Sequence, residues 1–220
     1  MYALPQQSLA MALHDVERAI ALQPAHLSHY QLTLEPNTAF AAKPPAGIPL
    51  EDEAWDMQER CIEVMAEAGY AQYEVSAYAK PDRQCAHNLN YWRFGDYLGI
   101  GAGAHGKISS GASGEILRRW KVKNPRDYLA KAASDDRIGG NDPIALANRP
   151  FDYMLNALRL VEGFSLAVFE ARTGLGRDAI SRELDTAMLR GWVTLDHARV
   201  VPTELGRRFT NDVISLFLNN

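Results

Sequence analysis

Residues 87–92 read His-Asn-Leu-Asn-Tyr-Trp, and residues 96–105 read Asp-Tyr-Leu-Gly-Ile-Gly-Ala-Gly-Ala-His. An imidazole, two amides, a phenol and an indole within six residues can do specific chemistry. His87 supplies a nitrogen ligand suited to iron. Asn88 can orient that ring or hydrogen-bond a carboxylate, and Tyr91 and Trp92 offer flat faces for stacking on a conjugated ring. An axial imidazole beside aromatic faces suits haem, with His87 as the iron ligand. The competing reading makes His87 a structural or surface histidine. For His105 a satisfied strand-end histidine and a site role stand level. Cys85 and His87 form a Cys-x-His pair, but no further cysteine completes a zinc set. Residues 101–106 fit G-x-G-x-x-G literally. The dinucleotide reading needs a helix directly afterwards, and the Ser- and Gly-rich stretch 109–114 does not start one. Gly101 and Gly103 are therefore expected to let the backbone approach a ligand or a neighbouring strand.

These residues need elements to hold them. Ser8 predicts an N-cap, followed by a helix with Leu13, Val16 and Ile20 on one stripe and an end at Pro24. His26 to Glu35 alternates and reads as a strand, and the proline-bearing stretch 36–49 reads as a loop. Pro49 and the acids 51–53 suit the start of a helix carrying Trp55, Ile62 and Met65 on one face and stopping at Gly69. Residues 70–78 read as a strand, 81–92 as a polar and aromatic loop, and the uncharged run Tyr97 to Gly103 as a strand buried on both faces. This alternation predicts an α/β fold with parallel strands and helical crossovers. Ligand sites in such folds lie at the C-terminal strand ends, where Glu35, the loop to residue 92, Gly101, Gly103 and His105 would fall.

The rhythm then changes. Residues 108–123 read as a hairpin turning at 111–114, Asn124-Pro125 opens a short helix, and 134–142 reads as a linker. Helices are expected over 149–161, from Ser165 to Arg172 and over 176–190, then a hairpin over 192–202 and a final helix capped by Thr203. That order resembles a winged helix. The expected organisation is barrel-like over 1–107, connecting over 108–147 and helical over 148–220.

Composition limits the function classes. The 220 residues are 47% hydrophobic and 23% charged, with a net charge of −4. Nothing here draws the chain to nucleic acid or an anionic membrane. From Arg149 onward nine basic residues face nine acidic ones, which speaks against DNA binding by phosphate neutralisation. A winged-helix interaction or DNA-binding module is carried as a third function class. No apolar run reaches the roughly 18 residues of a membrane span, and no secretory leader is visible. With two cysteines, Cys61 and Cys85, the expected compartment is the reducing cytoplasm.

Four segments, in order, resemble the oxygen-independent coproporphyrinogen III oxidase-like radical SAM family. Residues 1–8 are similar to its Met-Tyr-Gly-Leu-Pro segment, 29–38 to its YxLTxEPGT strand, 73–79 with 87–92 to its YEISNFA and HNxxYW motifs, and 96–105 to DYLGIGPGAH. The last 70 or so residues resemble its C-terminal helical domain. The resemblance implies the C-terminal part of a partial (β/α) barrel followed by a mostly helical, winged-helix-like domain. The HNxxYW motif points to the branch of haem chaperones, which deliver haem to apoproteins. It nominates His87, Asn88, Tyr91 and Trp92 as haem-binding, with His87 on the iron. The alternative is the oxidase itself, which oxidatively decarboxylates its porphyrinogen substrate. The family holds a [4Fe-4S] cluster and S-adenosylmethionine through a Cys-x₃-Cys-x₂-Cys motif that this sequence does not contain. The chain is therefore expected to lack a cluster-binding half and, alone, to perform no radical chemistry. An incomplete barrel would leave a strand edge open to self-association.

Overall fold

The computed structural model describes residues 1–218 and divides after Cys85 into two compact units. The first opens on Tyr2, whose N–H donates to the Tyr30 carbonyl at 3.1 Å and whose carbonyl accepts the Leu32 N–H at 2.9 Å. This parallel bridge is the described trace of the parallel pairing that the alternation predicted. Helix α1 (Leu9–Ala21) starts where expected, because the Ser8 hydroxyl accepts the Met11 N–H at 3.3 Å. Strand β1 (His26–Ser28) and the single turn α2 (Ala39–Ala42) precede α3 (Glu51–Glu67). Glu53 folds back to accept the Leu50 N–H at 2.8 Å, satisfying one of the free donors at the start of α3.

Strands β2 (Ala71–Glu74) and β3 (Ala77–Ala79) follow, and β1 pairs with the far side of β3. All pairs in this sheet are antiparallel, so the predicted parallel sheet is corrected here. The continuous strand expected over His26–Glu35 contracts to three residues and one bridge. The face of α3 is corrected too. Ala54, Met57, Cys61 and Met65 point inward, whereas Trp55 is 40% exposed. These side chains pack with Ala12 and Val16 of α1 and with Tyr2, Tyr70 and Tyr78.

The second unit starts with α4 (Ala86–Trp92), where a loop was expected. Strands β4 (His105–Ser109) and β5 (Ile116–Lys121) form the predicted hairpin, and Asn124 caps α5 (Pro125–Lys131). The expected linker is instead a 3₁₀ turn and a third antiparallel strand, β6 (Ile138–Pro143). Its glycines suit neither strand nor core by propensity. They suit this position because the Trp120 ring lies on the chain here: a Cβ at Gly140 would collide with Trp120 Cζ2.

The remaining elements are α6 (Arg149–Ala157), β7 (Phe164–Ser165), α7 (Leu166–Thr173), α8 (Ser181–Leu189), the hairpin β8 (Val193–Asp196) and β9 (Arg199–Pro202), then α9 (Glu204–Arg208) and α10 (Thr210–Ser215). Strand β9 lies between β7 and β8. The Thr203 cap is present, with its hydroxyl accepting the Gly206 N–H at 3.0 Å, but the final helix breaks at Phe209. This is the helical, winged-helix-like end read from the sequence. Its core gathers Tyr153, Met154, Phe164, Phe169, Ile180, Leu184, Val200 and Val213, and includes Phe94 from the end of α4.

Two polar anchors join the β4–β5–β6 sheet to this core. Arg149 is buried and donates to the carbonyls of Thr173 (2.6 Å), Gly114 (2.8 Å) and Ile144 (3.4 Å). Arg118 of β5 pairs with Asp152 of α6 at 2.7 Å. Each of the three guanidinium nitrogens thus donates to a carbonyl, which offsets much of the penalty of burying it.

Candidate functional site

Helix α4 sorts the predicted residues by its own periodicity. His87 and Tyr91 are four residues apart and share a face, with ring centroids 4.8 Å apart and planes at 82°. The Tyr91 ring also meets the Tyr97 ring at 4.4 Å. His87 is exposed and the two tyrosines are half-buried, so the three rings form a ladder open to solvent. Asn88 and Trp92 turn onto a different face. The Trp92 ring carries the Arg159 guanidinium 5.5 Å from its centre, and its indole nitrogen is buried with no hydrogen-bond partner among the described residues.

The end of α4 explains how the ladder is held. The Phe94 N–H donates to Tyr91 O at 2.9 Å and the Gly95 N–H to Asn90 O at 2.7 Å. This is the Schellman pattern, which usually places glycine at the left-handed position. Here that residue is Phe94, with φ +55°. A bulky residue at positive φ costs roughly 1–2 kcal/mol. Its ring offsets that cost by packing in the core 5.5 Å from the Tyr153 ring.

Lys107 then fastens the turn to β4. It is 3% exposed, and its Nζ donates to Phe94 O and to Asp96 Oδ1, each at 3.0 Å. Asp96 also accepts the Ser109 N–H at 2.8 Å and the Ser109 hydroxyl at 2.9 Å. Burial opposes the Asp96 charge, but these donors outweigh it and hold the carboxyl below its usual range. Burial also draws the Lys107 ammonium below its ordinary value, against the pull of Asp96. Tyr97 exchanges two backbone hydrogen bonds with Lys107, each 2.9 Å, which places its ring against Tyr91. Burial pushes the Tyr97 phenol up, so it stays neutral near pH 7.

The run after Tyr97 is not the doubly buried strand that its composition suggested. Leu98 is 77% and Ile100 86% exposed. Gly101 (φ +109°) and Gly103 (φ +70°) serve a turn, with the Gly101 N–H held by Tyr128 Oη at 3.2 Å and the Gly103 N–H by Val122 O at 2.9 Å. His105 is exposed and sits opposite Trp120 in the β4–β5 register, its ring stacked at 6.2 Å. Glu35 belongs to the first unit, where it is exposed and its carbonyl accepts the Thr38 hydroxyl at 2.7 Å.

Residues 144–209 match the model of the HemN C-terminal domain. Along its length the chain is 45% identical to the heme chaperone HemW of Escherichia coli, covering 99% of this chain and 56% of that protein. It is 44% identical to the heme chaperone HemW of Haemophilus influenzae, covering 99% and 55%. Along its whole length the chain is similar to these HemW heme chaperones. It spans about half the length of the curated relatives it matches. The fold is that of coproporphyrinogen III oxidase (HemN) from Escherichia coli, a radical SAM enzyme, with a TM-score of 0.74 at 18% identity over 98% of this chain and 53% of that one.

In this chain Cys61 is buried and Cys85 half-buried. Among the described residues no three His, Cys, Asp or Glu side chains gather as a metal site, so nothing here fits a [4Fe-4S] cluster. No helix in the described residues is long and apolar enough to cross a membrane. Sequence reasoning missed Tyr97, Leu98 and Ile100 as surface groups beside the HNxxYW run. Their signal was an apolar run interrupted by glycine at every second position, which also describes an exposed turn.

Proposed function

We propose that this chain carries the haem-docking surface of a haem chaperone. One observation carries the reading: His87, Tyr91 and Tyr97 form a solvent-open ring ladder. An exposed imidazole can coordinate iron through a ring nitrogen in its neutral form. Phenol rings beside it give the porphyrin a flat contact worth about 0.5–1.5 kcal/mol per pair. Cargo that must be handed on is better held at an open face than in a closed pocket. Leu98 and Ile100, exposed on the segment after Tyr97, extend the apolar surface that a porphyrin would cover. Asn88 and Trp92 act from another face of the same helix, Trp92 by fixing the helix against Arg159.

The name shared by the relatives, heme chaperone, supports haem as cargo; delivery to apoproteins in the cytoplasm is part of the same proposal. The [4Fe-4S] cluster and S-adenosylmethionine belong to the part of the family's length that this chain does not span. The likeness to the oxidase is one of fold at 18% identity, whereas the chaperone likeness is one of sequence at 45%, so the chaperone reading is preferred. Titrating hemin and following the Soret band tests it. His87→Ala is expected to weaken binding at least tenfold, roughly 1.4 kcal/mol. Equal binding by the parent and the variant would remove His87 from the site.

A further inference from the structure

The β4–β5 hairpin has one face on α6, through Ile116 and Arg118, and one face turned away from it. Arg119 and Lys121 alternate with those residues along β5 and so share the second face. Both are half-buried. Arg119 Nε donates to Asn141 Oδ1 at 2.6 Å, a neutral acceptor. The terminal nitrogens of Arg119 and the Lys121 ammonium meet no partner among the described residues. A groove runs beside them. Gly106 stands opposite Arg119 in the register, and without a Cβ it lets the chain at residues 97–99 lie close. A Cβ there would be 3.0 Å from Tyr97 O and from Gly99 N. Between that chain and β5 lies a cavity of about 60 Å³, lined by Leu98, Gly106, Ile108, Arg119 and Lys121 and by no acidic residue.

The kind of partner follows from the groups. Alternate residues of a strand are roughly 6–7 Å apart, so two like charges on them repel, and an anion between them turns that repulsion into attraction. Guanidinium and ammonium groups donate and never accept. The occupant is therefore a negatively charged acceptor. The cavity has room for about two waters, which suits the two oxygens of a carboxylate. Leu98 is 77% and Ile108 38% exposed, so an apolar body attached to that carboxylate has a surface to cover. A bare ion or a water would leave both side chains wet.

We propose that this groove binds a carboxylate carried on an apolar body, with the carboxylate between Arg119 and Lys121 and the body on Leu98 and Ile108. The site uses neither His87 nor Tyr91 and does not depend on haem docking there.

¹⁵N-correlated NMR can follow the Gly106 amide and the Arg119 Nε–H, with Arg119→Gln assigning the latter. Octanoate is the probe, octanamide its neutral counterpart and inorganic phosphate the bare anion. The expected result is a saturable shift of both signals with octanoate, at least tenfold weaker binding of octanamide and of phosphate, and at least tenfold weaker octanoate binding by Lys121→Gln. The ligand comparisons use the parent protein, so they stand even if the variant misfolds. His87→Ala is expected to bind octanoate as the parent does, which separates this site from haem docking. Metal-free protoporphyrin IX and its dimethyl ester, added as competitors, distinguish sources of the carboxylate: displacement by the acid alone identifies a porphyrin propionate, and displacement by neither identifies a free acid. Unmoved signals, equal binding of octanoate and octanamide, or phosphate binding as tight as that of octanoate would overturn the proposal.

Discussion

His87 and Trp92 stand five residues apart on one helix and live in different surroundings. His87 is in solvent and touches Tyr91 edge-on. Trp92 is half-buried under Arg159, and its indole nitrogen is shut off from solvent. The difference teaches that a compact run of chemistry-bearing residues need not make one site. On a helix each residue turns about 100° from the last, so a six-residue motif is divided between faces. One face is available to cargo. The other is committed to the interior, and α4 is tied there by Phe94, Asp96 and Lys107.

The sharpest way to break this comparison is to remove the tie that both faces share. Phe94→Ala deletes a buried ring while keeping the strained φ, and is expected to cost about 3–5 kcal/mol in urea denaturation. A loss under 1 kcal/mol would show that the α4 turn is not anchored through the core. Asp96→Ala comes next. Truncating one partner of a buried ion pair costs about 3–5 kcal/mol; Asp96 is itself 38% exposed, so about 2 kcal/mol is expected after allowing for solvent screening.

The same pair gives a pH signature with a defined sign. The folded Asp96 carboxyl lies below its unfolded value of about 3.9. Its stabilisation is therefore complete above that value and is lost as pH falls through the lowered folded value. Melting curves of the parent and Asp96→Asn should differ at pH 6 and converge as the solution becomes strongly acidic. A constant gap across that range would assign the loss to packing instead.

His87→Ala should separate the two faces most cleanly. Hemin affinity is expected to fall by at least 1.4 kcal/mol while unfolding stability stays within about 0.5 kcal/mol, because the residue is exposed. A marked drop in stability would place His87 in the structural half of the helix. Tyr153→Phe tests the opposite face. It removes a buried hydroxyl with no partner among the described residues, so the protein is expected to gain about 1 kcal/mol; a loss of that size would reveal a bond the hydroxyl already makes. The smallest effect is expected at Tyr91. Tyr91→Phe keeps the ring and should leave hemin affinity nearly unchanged, whereas Tyr91→Ala should cost about 0.5–1.5 kcal/mol. Equal losses in both would shift the role from the ring to the hydroxyl.

Much of the fold could be read where local chemistry and tertiary packing agree. The Ser8, Asn124 and Thr203 caps, the β4–β5 and β8–β9 hairpins and the apolar stripe of α6 all satisfy local rules. Of the candidate site His87 and Tyr91 were also visible, because such a run of side chains is hard to explain as ordinary core or surface, whereas Tyr97 was not. Nor was their arrangement. Residues 86–92 carry no apolar stripe at helical spacing, since this short helix is held by its ends and by Phe94 rather than by a buried face. Residues 97–103 look like a buried strand in composition. Lys107 draws Tyr97 onto β4, and the two left-handed glycines then turn the chain away, leaving Leu98 and Ile100 outside.

The sequence by itself determined the likeness to the HemW relatives, the residue types at the site and the start of several helices, because those depend on identity and on neighbours within a turn. Only the tertiary structure decided which faces those residues occupy. The direction of His87 and Trp92 depends on Lys107, Tyr153 and Arg159, all distant in the chain. Strand β6 depends on Trp120 lying against Gly140, a contact between residues 20 positions apart. Long-range packing of this kind leaves no periodicity in the segment it organises.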